Sequence, residues 1–345
     1  MEKEYYLTNE RRMNIVQDGL GWNEIDCFNK PLSLILENLR ENLHDVYLFN
    51  IGLTHSYLID DWYPQIFEDE KIPQEDFEHY FREYFSDVYG VKKENLLAYD
   101  EEQLKIQIKG CLDTGGIALV PCDIFDLYYF DNYHKEHMEH FFIVEGYDHE
   151  RELFYIIDTL HVNFARNAEY KQFVITARQL YKLYQDYFSS FYPKQDKKSF
   201  WSFARAGKDI DVLTKNREEY KRLVSDIIEE KITVRYVEEE ICEQIQKAVG
   251  EKNAELIEKN IERVFKRGNY RKVYYSLLLK NIIDKNQSID IEEKIDEILQ
   301  LWNQIKNLIT YYYAAKKNDY SDINTLINVN KNNEKELWDK IYRNL

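Results

Sequence analysis

Three side chains in the first half of the chain have the types needed for nucleophilic catalysis: Cys27, His140 and Asp158. The thiolate is the nucleophilic form of cysteine, and the positive end of a helix macrodipole stabilises it. Cys27 would therefore be reactive if it lay at the N-terminus of a helix. His140 directly precedes one apolar run and Asp158 ends the next, so a hairpin would bring imidazole and carboxylate nearly opposite each other. The carboxylate would then fix the tautomer and orientation of the ring. The same spacing also fits a packed cysteine with a surface histidine and aspartate.

A second cluster, the sequence HKEHMEH, holds His134, His137 and His140 together with Glu136 and Glu139. Three imidazoles and two carboxylates so close together are ligand types that zinc prefers. On a helix, however, steps of three rotate the third ligand away from the first, and on a strand His137 faces opposite to the other two. We therefore expect no metal site here.

The predicted helices and strands that must position these residues indicate an α+β fold. Apolar residues at helical spacing predict a helix over 27–43, and Pro31, which has no N–H to donate, belongs in its first turn. The helix therefore begins around residues 28–30 and leaves Cys27 at its N-terminus. The other predicted elements are helices at 74–89, 101–113 and 176–188, a strand at 117–120 closed by Pro121, an antiparallel hairpin of strands 141–144 and 153–157, and a strand at 173–175.

The second half of the chain has a different pattern. Residues 193–209 contain a proline, a glycine and clustered charge, which predicts a connector. Beyond it, apolar residues recur at helical spacing to the end of the chain, with a break at Gly268, and predict a helical bundle. We therefore expect a catalytic domain at 1–200 and an all-α domain at 201–345. All eight histidines lie in the first half, so imidazole chemistry belongs there.

Composition limits the partners and the location. The 345 residues include 46 Lys and Arg against 63 Asp and Glu, a net charge of −17. Nucleic acids and anionic membranes require a basic footprint, so we expect neither as a partner. No apolar run approaches the roughly 18 residues of a membrane span, and residues 1–14 lack the apolar core of a signal peptide. Four cysteines without a CxxC pair indicate free thiols. These features predict a cytoplasmic protein.

Three features together resemble a known family: the start NEIDCFNKPLSLILENL, the middle from GGIALVPCD through HFFIVEGYD to IIDTL, and the order Cys, His, Asp. Over residues 15–190 the chain is similar to the N-terminal domain of the butirosin biosynthesis protein H family, which is itself similar to papain-fold cysteine peptidases. The resemblance implies a papain-like cysteine-protease fold with a central antiparallel sheet. It also implies that Cys27 is the nucleophile, His140 the base and Asp158 the orienting acid.

The resemblance further implies a reaction, the transfer of an acyl group from a carrier-protein thioester to an amine in thiotemplated natural-product assembly. The amide-forming enzyme of polythioamide (closthioamide) assembly is similar in kind. The expected partners are an acyl or peptidyl carrier protein, whose phosphopantetheine arm holds the donor, and a small amine acceptor. No cofactor of the protein's own is expected.

The donors to the oxyanion are less evident from the sequence. Papain-like enzymes place a glutamine about six residues before the cysteine, to stabilise the oxyanion, but Gly21 occupies that position. Asn23 or Gln17 would substitute, or main-chain N–H groups would serve. Asp123, which ends a strand, and Tyr129, in the aromatic segment after it, are further candidates for contact with substrate or oxyanion.

Two other functions stay open at this point. One is a cysteine peptidase or thioesterase that uses the same three residues, and the other is a non-catalytic binding protein. Exclusion of water from the site favours an amine acceptor, whereas an open site favours hydrolysis.

A basic surface for the carrier protein is also expected. Carrier proteins are typically acidic, so a chain with a net charge of −17 needs a local basic patch to receive one. The densest basic cluster consists of Arg263, Lys266, Arg267, Arg271 and Lys272. Basic residues at the end of a helix also complement its macrodipole without any partner.

Overall fold

The computed structural model describes residues 13–16, 25–59, 89–160, 169–195, 198–207, 210–251, 253–284, 289–315, 317, 319 and 321–345. These residues form two compact units, one within Met1–His44 and Phe81–Ile210 and the other within Asp45–Tyr80 and Asp211–Leu345. The domain boundary at residue 200 stays a prediction. None of the described helices combines the length and apolarity needed to cross a membrane.

Strands dominate the first unit and helices the second. In chain order the elements are α1 (Asn29–Leu39), α2 (Leu43–Ser56), β1 (Tyr57–Ile59), β2 (Val91–Leu97), α3 (Glu101–Asp113), β3 (Ile117–Asp123), β4 (Glu139–Asp148), β5 (Leu153–Leu160), β6 (Glu169–Thr176), α4 (Ala177–Phe191), β7 (Ser199–Arg205), α5 (Val212–Ile228), β8 (Val234–Tyr236), α6 (Val237–Glu251), α7 (Ala254–Asn281), α8 (Ile289–Ala314) and α9 (Ser321–Asn344). The first unit holds a six-stranded antiparallel sheet in the order β2-β7-β3-β4-β5-β6. In the second unit, β1 pairs with β8.

The predicted α+β class, with an antiparallel sheet followed by a helical region, is confirmed. The prediction that residues 201–345 are all-α is wrong, because they contain β8 and most of β7. The predicted hairpin is β4 and β5, and the helix predicted over 101–113 is α3. Asp100 explains the start of α3, because its carboxylate accepts a hydrogen bond from Gln103 N at 2.8 Å. The helix predicted over 74–89 lies outside the described residues except for Tyr89.

The predicted connector at 193–209 is wrong, because it contains β7, which lies between β2 and β3 in the sheet. Phe200 and Phe203 of this strand are fully buried. The sequence signal is weak because the strand is short and charged residues flank it on both sides.

Strand β3 does not close at Pro121 as predicted but continues to Asp123. The pairing of β3 with β7 covers Ile117 to Leu119, whereas its pairing with β4 continues to Asp123. Pro121 therefore lies where β3 still pairs with β4 but no longer pairs with β7. Proline is tolerated at such an edge, because it has no N–H to donate to a second ladder.

Helix α1 is the buried helix of the first unit. It packs against β3, β4 and β7, and Leu32, Leu34, Ile35 and Leu36 are fully buried. A helix enclosed in this way gives the residue at its N-terminus a fixed position relative to the sheet.

The second unit contains several buried tyrosines. Tyr57, Tyr220, Tyr274 and Tyr275 are almost completely buried. Their hydroxyls pair with each other, Tyr220 with Tyr274 at 2.6 Å and Tyr57 with Tyr275 at 2.8 Å. These pairs satisfy the polar ends of side chains that otherwise contribute apolar area to the core.

The predicted helix break at Gly268 is wrong, because α7 continues through it. Arg271 on this helix is completely buried, so it cannot belong to an exposed docking surface. Its guanidinium carbon lies 4.1 Å from the centroid of the Trp302 ring, and Nη2 donates to Ser56 O at 2.8 Å. Nε lies 3.7 Å from Oε1 of the equally buried Glu334.

Replacing Arg271 by alanine is expected to lower the free energy of unfolding by about 3–5 kcal/mol, because Glu334 then stays buried without this cation. Urea denaturation measures the change. Lys272→Ala, at the exposed neighbouring position, is the matched control and should cost less than about 0.5 kcal/mol. A small and equal effect of both substitutions would show that the buried ion pair does not stabilise the unit.

Candidate active site

Cys27 lies in the turn that begins α1, as predicted. Oδ1 of Asp26 accepts hydrogen bonds from Phe28 N at 3.0 Å and from Asn29 N at 2.7 Å. Lys30 N already donates to Asp26 O at 3.1 Å, which is the first helical main-chain bond. Asp26 therefore acts as the cap, and Cys27 follows it directly in the first turn.

The half-buried thiol of Cys27 faces strand β4. Its Sγ donates to the carbonyl oxygen of Glu139 at 3.7 Å, and Glu139 directly precedes His140. The ring of Phe28 packs edge-on against Phe141 at 5.1 Å and against Trp201 at 5.4 Å. These aromatic contacts attach the start of α1 to β4 and β7, so the thiol is held beside the main chain next to His140.

His140 and Asp158 are brought together by the hairpin of β4 and β5. Its register pairs Ile143 with Ile157, so by extension Asp158 lies opposite the residue two positions beyond His140. Side chains two positions apart on a strand point to the same face, so the side chains of His140 and Asp158 lie on one face of the sheet. His140 Nε2 donates to Asp158 Oδ1 at 2.8 Å, and both side chains are 1% exposed. The ring of Phe130 contacts the imidazole edge-on at 5.0 Å between centroids.

Asp158 also accepts hydrogen bonds from Thr159 and Tyr129. Thr159 N donates to Oδ1 at 2.7 Å, and the hydroxyl of Tyr129 donates to Oδ2 at 2.7 Å. Burial first, and then the charge of Asp158, raise the pKa of Tyr129 well above its ordinary value. Tyr129 therefore stays protonated and able to donate. Its ring stacks on Phe173 at 3.8 Å, which fixes the direction of the hydroxyl.

Asp123 is completely buried and bonds to the loop between β3 and β4. Its Oδ1 accepts from Phe125 N at 3.1 Å and Met138 N at 3.3 Å, and its Oδ2 accepts from Ser190 Oγ at 3.1 Å. Nδ1 of His137 lies 2.5 Å from the same Oδ2. Asp123 thus holds both ends of the loop that carries Tyr129. Gln17 and Asn23 lie outside the described residues.

The three imidazoles of the HKEHMEH segment each contact a different carboxylate. His134 Nε2 lies 3.0 Å from Asp126 Oδ1, while His137 and His140 contact Asp123 and Asp158. In the part of the chain that the structure describes, no group of three or more histidine, cysteine, aspartate or glutamate side chains is arranged to hold a metal ion.

Cys122 is the second thiol close to this site, because it pairs with His140 across β3 and β4. Its side chain is completely buried, and this burial raises the pKa of the Cys122 thiol well above its ordinary value, with the charge of Asp158 adding to the effect. A thiol that is buried and protonated is inert.

Sequence reasoning missed the aromatic wall near Cys27. Tyr187 on α4 and Tyr192, the residue after that helix, lie with their rings 5.4 Å apart, and Tyr187 also contacts Phe141 at 6.0 Å. Burial is the main cause that raises the pKa of Tyr192 to about 12, and the Glu139 carboxylate contributes. Burial likewise raises the pKa of Tyr187, with a smaller effect from Cys27. No local motif marks these tyrosines, because only the packing of α4 on the sheet brings them here.

Comparison with known protein families gives a match to part of the first half of the chain. No curated protein is significantly similar to the chain. The family described as butirosin biosynthesis protein H, N-terminal, matches residues 26–159, which begin at the cap of α1 and include Cys27, His140 and Asp158. This segment of the chain is therefore a member of the butirosin biosynthesis protein H, N-terminal, family.

Proposed function

We propose that the protein is an amide-forming acyltransferase of thiotemplated natural-product biosynthesis, which takes an acyl group from a carrier-protein thioester through Cys27. One observation carries the proposal: the buried His140–Asp158 pair lies on the hairpin whose main chain, at Glu139, contacts the Cys27 thiol. The family match supports the biosynthetic setting, because the family is described by its part in the biosynthesis of butirosin.

We also propose a papain-like architecture for the first unit. Its support is the combination of a buried helix with cysteine at its N-terminus and an antiparallel sheet that carries the histidine and the acid. This arrangement matches the roles that a cysteine nucleophile, a base and an orienting group need, whatever their order in the chain.

The mechanism follows from the hydrogen bonds of His140. Nε2 is engaged by Asp158, so Nδ1 is the ring nitrogen that accepts the proton of the Cys27 thiol. The thiolate attacks the thioester carbonyl, and the phosphopantetheine thiol leaves with the proton from His140. The acyl group stays activated, because one thioester has replaced another. The amine then attacks the acyl-enzyme, His140 takes a proton from the amine, and Cys27 leaves.

The oxyanion in each step requires hydrogen-bond donors. Phe28 N and Asn29 N already donate to Asp26, so these two main-chain groups are not the donors. Asn23 and Gln17 remain the side chains that we propose for this role, and Tyr129 and Asp123 are assigned to holding Asp158 and the loop between β3 and β4.

Product analysis tests the proposed function. The protein is incubated with a carrier protein loaded with acetyl, β-alanyl or benzoyl groups, with and without a primary amine such as butylamine, and products are identified by liquid chromatography and mass spectrometry. We expect amide to exceed free acid when the amine is present. Free acid alone would assign a thioesterase or peptidase instead, and no product from any donor would favour a non-catalytic binding protein.

Substitutions of Asp158 test how His140 is oriented. In Asp158→Asn, the donor Thr159 N–H keeps the oxygen of the asparagine amide at the position of Oδ1, so His140 Nε2 still has an acceptor. The nitrogen of the same amide then takes the position of Oδ2 and donates to the Tyr129 oxygen. Only the charge is lost, so we expect a decrease in kcat of about tenfold. Asp158→Ala removes the acceptor as well and should lower kcat by about 10³- to 10⁴-fold.

The two Asp158 variants are compared by steady-state kinetics, and circular dichroism measures the folded fraction of each. An equal loss of kcat in the two variants would contradict the account, because it would mean that charge alone determines the contribution of Asp158.

A further inference from the structure

A shallow groove between α7 and α8 of the second unit concentrates positive charge. Helix α7 contributes Gly268, Arg271 and Lys272 to its lining, and α8 contributes Trp302, Asn303 and Lys306. The groove lies wholly within one unit, and none of its residues belongs to the candidate active site.

The two lysines of the groove are not neutralised by carboxylates. Across the described residues, neither Lys272 nor Lys306 forms an ion pair, although the chain contains 63 acidic residues. Lys306 Nζ lies 4.9 Å from the ring centroid of Phe265 instead. Burial lowers the pKa of Lys306, and the charge of Lys272 lowers it further. Holding two like charges together is unfavourable unless an anion joins them.

Gly268 keeps the groove open. It lies inside α7, where glycine weakens a helix relative to alanine. A Cβ at this position would meet no atom within 4 Å, so packing of the protein does not require the glycine. Because glycine has no side chain, space remains beside the two lysines.

Trp302 gives the groove a rigid wall, because the completely buried guanidinium of Arg271 packs on its ring with 4.1 Å between the guanidinium carbon and the ring centroid. The amide of the exposed Asn303 adds a neutral donor at the edge. Two lysines and an amide suit a small dianion with several acceptor oxygens.

We propose that this groove is a binding site for a phosphate group. The ligand is free inorganic phosphate or a phosphate ester such as the one in a phosphopantetheine arm, since both offer the same oxygens. A polyanion such as nucleic acid does not suit a chain with a net charge of −17. The proposal does not depend on the reaction assigned to the first unit.

Isothermal titration calorimetry of the full-length protein with inorganic phosphate, at constant ionic strength set with sodium chloride, tests the site. We expect saturable binding whose Kd rises about tenfold or more in the double variant Lys272→Gln, Lys306→Gln. The matched control, Lys247→Gln with Lys335→Gln, removes two exposed lysines from other helices of the same unit, and its Kd should stay within about twofold of the parent value.

Gly268→Leu provides a second test that separates binding from folding. We expect this substitution to fill the groove and abolish phosphate binding while the melting temperature stays the same or rises, because leucine favours a helix. Titrations with phosphopantetheine and with pantetheine distinguish the sources. Tighter binding of phosphopantetheine than of inorganic phosphate assigns the ester, and equal binding of the two assigns free phosphate. Absence of saturable binding by either, or an unchanged Kd in both groove variants, would overturn the proposal.

Discussion

Cys27→Ser is expected to lower the turnover of an acyl thioester by at least about 10⁴-fold, because a serine hydroxyl is far harder to ionise than a thiol at neutral pH. The hydrogen bond from the thiol to Glu139 O is long, at 3.7 Å, and serine is close to cysteine in size, so little packing is lost with the sulfur. The melting temperature should therefore change by less than about 3 °C. Thioester turnover and thermal unfolding are measured on the same preparation.

The matched control is Cys111→Ser, the same substitution at a buried thiol of the same unit. Its activity per folded molecule should equal that of the parent protein. Normal turnover in Cys27→Ser, or a loss of similar size in Cys111→Ser, would remove Cys27 from the mechanism.

His140→Gln is expected to lower turnover by about 10³-fold or more, because the amide cannot accept and return the proton of the thiol. Glutamine is chosen because its NH₂ group can donate to Asp158 Oδ1, so that the buried carboxylate keeps a partner and the fold is preserved. The rate at which iodoacetamide alkylates Cys27 at neutral pH should fall as well, which separates loss of the base from loss of substrate binding.

His134→Gln serves as the control for this substitution, since the His134 side chain is more than half exposed and pairs with a different carboxylate, that of Asp126. It should leave both turnover and alkylation unchanged. Alkylation of Cys27 at the parent rate in His140→Gln would contradict the role of His140 as the base.

The sequence carries enough local information to place the candidate nucleophile. Pro31 and the apolar spacing after it define the start of α1, and Asp26 supplies the cap that leaves Cys27 in the first turn. The hairpin that joins His140 to Asp158 is also local, since turn residues separate two apolar runs.

What the sequence does not reveal depends on contacts between distant segments. Strand β2 was not predicted because it is a polar edge strand, with only Val91 buried, and among the described strands it pairs with β7 alone. The contact of the Tyr129 hydroxyl with Asp158 depends on the loop held by Asp123, which no pattern in the sequence describes. The sequence around Arg271 predicts an exposed cation. In the structure Arg271 is buried, because Trp302 and Glu334 from two other helices pack against it.

The most direct test of the account is the intact mass of the wild-type protein after mixing with an acylated carrier protein in the absence of amine. We expect a single adduct with the mass of the acyl group, located by peptide mass analysis on Cys27 and discharged as an amide when the amine is added. The absence of an adduct under conditions where amide forms, or an adduct on Cys111, Cys122 or Cys242 in its place, would contradict the proposal that Cys27 carries the acyl group.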